Sequence, residues 1–435
     1  MPLSKSPVYN LKAVLKETGL KADVLRAWER RYGIPAPERT QGGHRLYSDF
    51  DLALLKWLIF RQNEGLSISR AVELWKEHLL KGHDPLAEVL AQARPPAPAL
   101  SAPGIEAVRS HWLAACLNFN EIAAEQALNQ AFALYPVETV CTEVLQRGMA
   151  EIGNLWHENN ASVQQEHFAS ALAMRRLDIL LGASPAPTRP QTVLIGCPPD
   201  EWHTFTPLLL ALLLRRRGLN AIYLGANIPA NRFEETISAV KADLVILAAQ
   251  QLISAATLQE SARLITAYGA PVAFGGQIFS LQPDLVKRVT GHYLGDRLDS
   301  ALDKVESLLV GKPDLSQPIS PSAEYVETLK AFLANRPLIE NNIDAEARAG
   351  GFNSAYFDTA HKFMGDNIIA CLRLGEMTYL DSEIDWLTVM LQGFNLPKSM
   401  IYDYLRLYSA AVYRQLDGHA VPITSWLEHQ IQPVE

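Results

Sequence analysis

Histidines stand beside acidic and aromatic residues in two stretches of this chain, and cations recur at helical spacing in a third. In the first stretch, Asp200-Glu-Trp-His-Thr-Phe-Thr206 places His203 on a loop after an apolar run, where a ligand can reach it. A lone loop histidine is more often a surface residue, because imidazole has many uses. In the second, Trp156-His-Glu-Asn-Asn-Ala-Ser-Val-Gln-Gln-Glu-His167 sets Trp156 beside His157, and Glu166 beside His167 ten residues later. Taken alone it reads as a core tryptophan with polar surface neighbours. In the third, Lys21, Arg26, Arg30 and Arg31 lie on a short helical stretch, and Arg39-Thr-Gln-Gly-Gly-His-Arg-Leu-Tyr47 follows as a hairpin with a glycine-rich tip. A helix for the groove and a wing for the backbone suit duplex DNA. The whole chain has a net charge of -8, yet residues 1–82 carry 14 Lys+Arg against 9 Asp+Glu, so the basic end is where nucleic acid belongs. Cys116, Cys141, Cys197 and Cys371 are scattered without a CxxC pair, which argues against a zinc site or a disulfide framework and for a reducing compartment.

Several elements must position these residues. Helical spacing of Leu11, Val14 and Leu15, then of Val24, Leu25 and Trp28, with Gly19 between, predicts two sharply joined helices within 1–82. Residues 94–104, rich in Pro and small side chains, cannot continue a helix and form the tether of an 83–106 linker. Residues 107–183 are rich in Ala, Leu and Glu at helical spacing, enough for a four-helix bundle. Beyond a break at 184–190, strands at 192–195, 221–224, 244–248 and 272–274 alternate with helices at 208–217 and 232–240. Within 190–311 this implies a parallel sheet covered on both faces, with ligands at the carboxyl ends of the strands. A third break at 311–321 precedes 322–428, where helical spacing recurs at 325–333, 357–374, 384–391 and 400–415. The fold class is therefore multidomain. No apolar run approaches the roughly 20 residues of a membrane span, and the start lacks a signal-peptide pattern, so a cytoplasmic protein without a membrane partner is expected.

The run Leu25-Arg-Ala-Trp-Glu-Arg-Arg-Tyr-Gly33, followed by Gly43-His-Arg-Leu-Tyr47, closely resembles the MerR family of transcriptional regulators. That resemblance implies a winged helix-turn-helix at 1–82 that binds double-stranded operator DNA. Lys21, Arg26, Arg30, Arg31, Tyr32 and Arg39 would lie in the contacting region, and His44, Arg45 and Tyr47 of the wing would reach the backbone. Trp28 is read as core. Family members dimerise through a coiled coil after this part. Here the tether takes that place, so self-association must come from elsewhere or await a ligand.

The sequence around Glu201, His203 and Gly275-Gly276 resembles the cobalamin-binding domain of methionine synthase, the carbon-skeleton mutases and cobalamin-dependent regulators. The resemblance implies an α/β Rossmann-like cobalamin-binding domain at 190–311, with His203 as lower axial ligand of cobalt and Ser254, Gly275 and Gly276 at the cofactor. Imidazole suits cobalt, and Glu201 would accept its other N–H and raise its basicity. Thr206 stands where the usual motif has Gly and adds bulk near the nucleotide tail. The bundle, with Trp156, His157, Glu166 and His167, resembles the light-sensing CarH-type regulators. It implies a cap over adenosylcobalamin, in which Trp156 packs near the adenosyl group, Glu166 and His167 define its pocket, and His157 ligates cobalt after photolysis. It further implies a repressor that assembles in the dark as a dimer or tetramer, binds DNA and is released by light.

Residues 322–435 carry 8 Lys+Arg against 15 Asp+Glu, together with His361, Trp386, Tyr402, Tyr404, Tyr408, Tyr413 and His419. Aromatic residues at helical spacing are more often core, and a C-terminal all-α domain for dimerisation or for a second signal is expected. The domain order looks like that of the photocobilins, which implies a bilin such as biliverdin there, although Cys371 falls mid-helix and no other cysteine is placed to attach one. A light-insensitive regulator answering to cobalamin or a protein partner remains open. An enzyme is the weakest reading, because the chain has no barrel-like substrate domain of roughly 250 residues.

Overall fold

The computed structural model describes residues 4–40, 42–63, 66–80, 104–158, 160–311, 317–350, 357–393, 397–416 and 420–431, except the side chains of 60, 63 and 389–393. Residues 94–103 of the tether, and His419, lie outside these. The chain divides into two compact units, Met1–Ala102 and Pro103–Glu435.

In the first unit, helix α1 (Leu11–Thr18) is capped by the Asn10 side chain, which accepts from the Ala13 N–H, and ends at Gly19, whose φ of 71° few other residues adopt. Helix α2 (Ala22–Tyr32) follows after Gly19, Leu20 and Lys21. Strand β1 (Tyr9–Asn10) and strands β2 (Glu38–Arg39) and β3 (Arg45–Tyr47) form an antiparallel sheet with β3 in the centre. Helices α3 (Asp49–Asn63) and α4 (Ile68–Leu80) complete it. Its core gathers Val14, Leu25, Trp28, Tyr47, Trp57 and Trp75, with the rings of Trp57 and Trp75 meeting edge-on at 5.2 Å. Trp28 is core, as expected. Val24, for all its helical spacing, points to solvent.

The second unit begins with four antiparallel helical passes. These are α5 (Ile105–Leu117), α6 (Glu121–Leu134), α7, which runs through Val137–Thr139, a π-helical Val140–Gln146 and Arg147–His157, and α8 (Val163–Gly182). Five parallel strands follow: β4 (Thr192–Gly196), β5 (Asn220–Gly225), β6 (Leu244–Ala248), β7 (Val272–Gly275) and β8 (His292–Tyr293), in the order β5-β4-β6-β7-β8. The crossovers include α9 (Phe205–Arg216), α10 (Phe233–Val240), α11 (Leu252–Ala267) and α12 (Gln277–Leu281), and α13 (Leu298–Val310) follows the last strand. This order places a topological switch point between β4 and β6, where an open parallel sheet takes its ligands.

Residues alternate across the sheet, as a strand's period of two requires. Val193, Ile195, Leu244, Ile246 and Ala273 join one core with the four-helix bundle, α9 and α13. Leu194, Val245, Leu247, Val272 and Phe274 join the other, with α11 and the C-terminal helices. Those helices are α14 (Ala323–Ala349), α15 (Phe357–Leu374), α16 (Asp381–Gly393), α17 (Ser399–Leu416) and α18 (Val421–Ile431). The spacing predicted a helix ending at 333, but α14 runs on through Pro337. Pro337 and Leu333 both face solvent, so the carbonyl that loses its partner is open to water. The aromatic residues divide: Tyr404 and Tyr408 are core, whereas Tyr402 and Tyr413 are exposed.

Candidate functional site

Strand β4 runs into a loop that turns on Asp200, whose φ is 64°. The Asp200 N–H donates to Asn227 Oδ1 at 3.0 Å, the Asn227 N–H donates to the Glu201 carbonyl at 3.0 Å, and the Ile228 N–H donates to the Cys197 carbonyl at 3.0 Å. Stitched this way to the segment after β5, the loop carries Glu201 inward and His203 outward. Glu201 is fully buried. Its Oε1 accepts from the His203 N–H at 2.8 Å and sits 2.7 Å from His203 Nδ1. Its Oε2 accepts from the Gln250 N–H at 2.6 Å and from Ser254 Oγ at 2.6 Å. Burial by itself would push this carboxyl up, but the four hydrogen bonds outweigh it and hold the group below the usual carboxylate range. Glu201 thus bridges the switch point, from the end of β4 to the first turn of α11.

The same contact orients His203. With Nδ1 held by an anion, Nδ1 carries the proton and Nε2 keeps a lone pair, and Nε2 makes no hydrogen bond to the described residues. The hydrogen bond to Glu201 raises the imidazole pKa against the opposing effect of burial, and the charge of Glu166 adds a smaller push. A single imidazole presented in this way suits a metal that already has its equatorial ligands. Among the described residues, no group of three or more His, Cys, Asp or Glu gathers to hold a bare ion.

The other residues singled out from the sequence fall around this point. Gly276, at the end of β7, has a φ of 127°, and a Cβ there would lie 1.8 Å from the Ala249 carbonyl oxygen; a Cβ on Gly275 would meet open space. Thr206 lies partly buried in the first turn of α9. In the bundle, Trp156 is half-buried and His157 exposed at the end of α7, and Glu166 Oε2 lies 2.7 Å from His167 Nδ1 in the first turn of α8. That turn is held by a capping box between Ser162 and Gln165. The Gln165 amide also donates to the Leu117 carbonyl at 2.6 Å. Gln250 was not foreseen, because it acts through a backbone N–H that no residue type announces.

In the first unit, Lys21, Arg26, Arg30 and Arg31 are exposed on or beside α2, Arg39 is exposed on β2, and His44 is exposed in the hairpin turn. Tyr32 is half-buried against the core. Two wing residues differ from expectation. Tyr47 is fully buried and donates to Glu29 Oε1 at 2.7 Å, with its phenol pKa pushed up by burial and then by Glu29. It cannot reach a DNA backbone. Arg45 donates to Glu29 Oε2 at 2.8 Å, so part of its hydrogen-bonding capacity clamps the hairpin to α2.

The family described as "MerR HTH family regulatory protein" matches residues 9–77, and two described as "B12 binding domain" match residues 108–181 and 191–296. The chain is 32% identical over 287 residues to the HTH-type transcriptional repressor CarH of Myxococcus xanthus, covering 65% of this chain and 94% of that protein. It is 29% identical over 273 residues to the repressor CarA of the same organism, covering 61% and 85%. Among solved structures, the monomethylamine corrinoid protein of Methanosarcina barkeri aligns at a TM-score of 0.40 and 15% identity, over 45% of this chain and 96% of that one.

Proposed function

Because the chain belongs to the CarH-type, cobalamin-binding MerR regulators, we propose that it is a light-responsive repressor that binds operator DNA when loaded with adenosylcobalamin. The observation that carries this reading is His203 with its Nδ1 held by buried Glu201 and its Nε2 free. The residues fit a corrinoid: one imidazole for the lower face of cobalt, open space over Gly275, and a helical cap bearing Trp156, Glu166 and His167 for the upper face. When bound, adenosylcobalamin supplies a cobalt–carbon bond that visible light breaks. His203 would hold the corrinoid's metal through Nε2, with Glu201, Ser254 and the Gln250 N–H fixing its tautomer. Trp156, Glu166 and His167 would line the side of the group that faces the bundle, and His157, exposed at the end of α7, would be a second imidazole able to hold the metal after photolysis, with a shift of the bundle against the sheet.

On DNA, Lys21, Arg26, Arg30, Arg31, Arg39 and His44 supply the contacts, with Tyr32 supporting them from a half-buried position and Arg45 sharing its charge with Glu29. Dark assembly into a dimer or tetramer gives avidity to individually weak DNA-binding units joined by the tether. The resemblance in domain order extends the reading to a bilin such as biliverdin in the C-terminal domain, where an open cleft of about 500 Å³ between α14 and α15 is lined by Arg336, Asp344, His361 and Lys362, among others, whose charges are largely paired with one another and with Glu340 and Asp366. Cys371 does not attach it, being fully buried with its thiol pKa raised well above the ordinary value by that burial. No helix among the described residues is long and apolar enough to cross a membrane.

The test is an absorption spectrum of the full chain loaded with adenosylcobalamin in the dark, repeated after green light, with size-exclusion chromatography and operator binding alongside. An irreversible spectral change accompanied by disassembly and loss of DNA binding is expected. Corrinoid uptake with no response to light would leave a light-insensitive cobalamin regulator. No uptake at all would refute the sensor.

A further inference from the structure

We propose that helix α11 couples the cobalt-ligating loop to the C-terminal domain, so that occupation of the His203 site tightens α15 and disturbance of the α11–α15 contact weakens that site. The proposal rests on the corrinoid reading of His203 and gives the C-terminal domain a role in it. At its N-terminal end, α11 is tied to the loop through one side chain: Glu201 Oε2 accepts from Ser254 Oγ, in the helix's first turn, and from the Gln250 N–H just before it. Ser254 Oγ also lies within hydrogen-bonding reach of the Gln251 carbonyl, and the Thr257 hydroxyl donates to the Pro199 carbonyl in the same loop. A movement of the loop cannot leave the start of α11 unmoved without breaking these bonds.

Further along, α11 packs on α15. Ala255, Ala256, Leu258 and Ala262 share a continuous core with Met364, Ile368 and Cys371, all buried. Three of these four α11 residues are alanines, and close-packed interiors transmit displacement rather than absorb it. Glu260 and Arg373 face each other across the edge of this contact at 3.5 Å. A second tie holds the domain in place: the Gln282 amide donates to the Tyr379 carbonyl at 2.8 Å and to Ser382 Oγ at 2.6 Å. The C-terminal helices are therefore seated on the element that carries the far end of the Glu201 network. Coupling of this kind is reciprocal, because each site changes the other's equilibrium by the same factor.

Hydrogen exchange of the full chain, read by mass spectrometry in the dark with and without adenosylcobalamin, tests the proposal. Loading should slow exchange in α15 by about fivefold or more, the lower end of the range expected of a coupling free energy. It should slow exchange less in α13, which packs on α9 instead. Arg373→Glu, which sets like charges against Glu260, and Ile368→Ala, which removes a buried side chain from the core that α11 and α15 share, should each still take up the corrinoid, lose the protection of α15, and bind about fivefold or more weakly. Protection confined to the bundle and the sheet would overturn the proposal, as would protection of α15 that persists in both variants. Failure of the wild-type chain to take up the corrinoid would instead overturn the reading on which it rests, and the proposal with it.

Discussion

Replacing Glu201 with Gln keeps the shape of the site and removes its charge. Four donors converge on this carboxylate at 2.6 to 2.8 Å, and a glutamine offers one acceptor oxygen and one NH2 group. Placed against Gln250 and Ser254, the NH2 can be met by a reversed serine hydroxyl, but the Gln250 N–H is left unpaired. Placed against His203, it forces Nδ1 to become the acceptor, which moves the proton to Nε2, and it strands the His203 N–H. Either way one backbone donor is orphaned and charge-assisted bonds become neutral, for a loss of about 2–5 kcal/mol in folding stability. Urea denaturation of the unloaded chain measures this directly. The sign with pH follows from the depressed pKa of Glu201. Its contribution is complete above the ordinary carboxylate value of 4.5 and is lost as pH falls through the folded-state value, while the raised pKa of His203 adds a part that is complete below 6.5 and lost as pH rises through its own folded-state value, so the difference between wild type and Glu201→Gln should narrow in acid and also shrink at alkaline pH. A difference below about 1 kcal/mol at neutral pH would refute this account, because it would mean that the four bonds are worth no more than one ordinary one.

Two further substitutions separate packing from recognition. Tyr47→Phe should lower stability by about 1 kcal/mol through loss of the bond to Glu29, while leaving the salt dependence of operator binding unchanged. Arg31→Ala should spare stability and lower the slope of log affinity against log salt by about 0.9; equal slopes for the two variants would contradict the assignment. Gly276→Ala, whose Cβ would fall 1.8 Å from the Ala249 carbonyl oxygen at a φ of 127°, should cost about 3 kcal/mol or more from strain and overpacking. Unchanged thermal unfolding of that variant would show that the β7 turn adapts.

The parts of the site legible in the sequence are those where one side chain defines the chemistry. His203 and Glu201 sit two residues apart, and the structure joins them. Ser254, assigned to the same site from resemblance, does meet Glu201. What escaped is carried by backbone or by distance. Gln250 contributes an N–H, and Tyr47 looks like a wing residue until the register of β3 turns it toward Glu29. Strand β8 is only two residues long, too short to show alternation. Helix α11 is buried on most of its surface, so it lacks the polar face by which a helix is usually recognised. The C-terminal helices were expected from their spacing, but not their merger into the core of the sheet, because a shared core leaves no mark on local periodicity.

The alternation along the strands also bears on how such a chain can change over time. Val245 and Ile246 are neighbours in sequence but belong to different cores. A substitution at one is felt by the C-terminal helices, and a substitution at the other by the bundle. The sheet acts as a partition one residue thick, and changes on its two sides should combine nearly additively, as they do for sites without shared partners. The helical bundle and the C-terminal domain can therefore diversify on separate schedules, with Glu201 and α11 as the places where their histories remain joined.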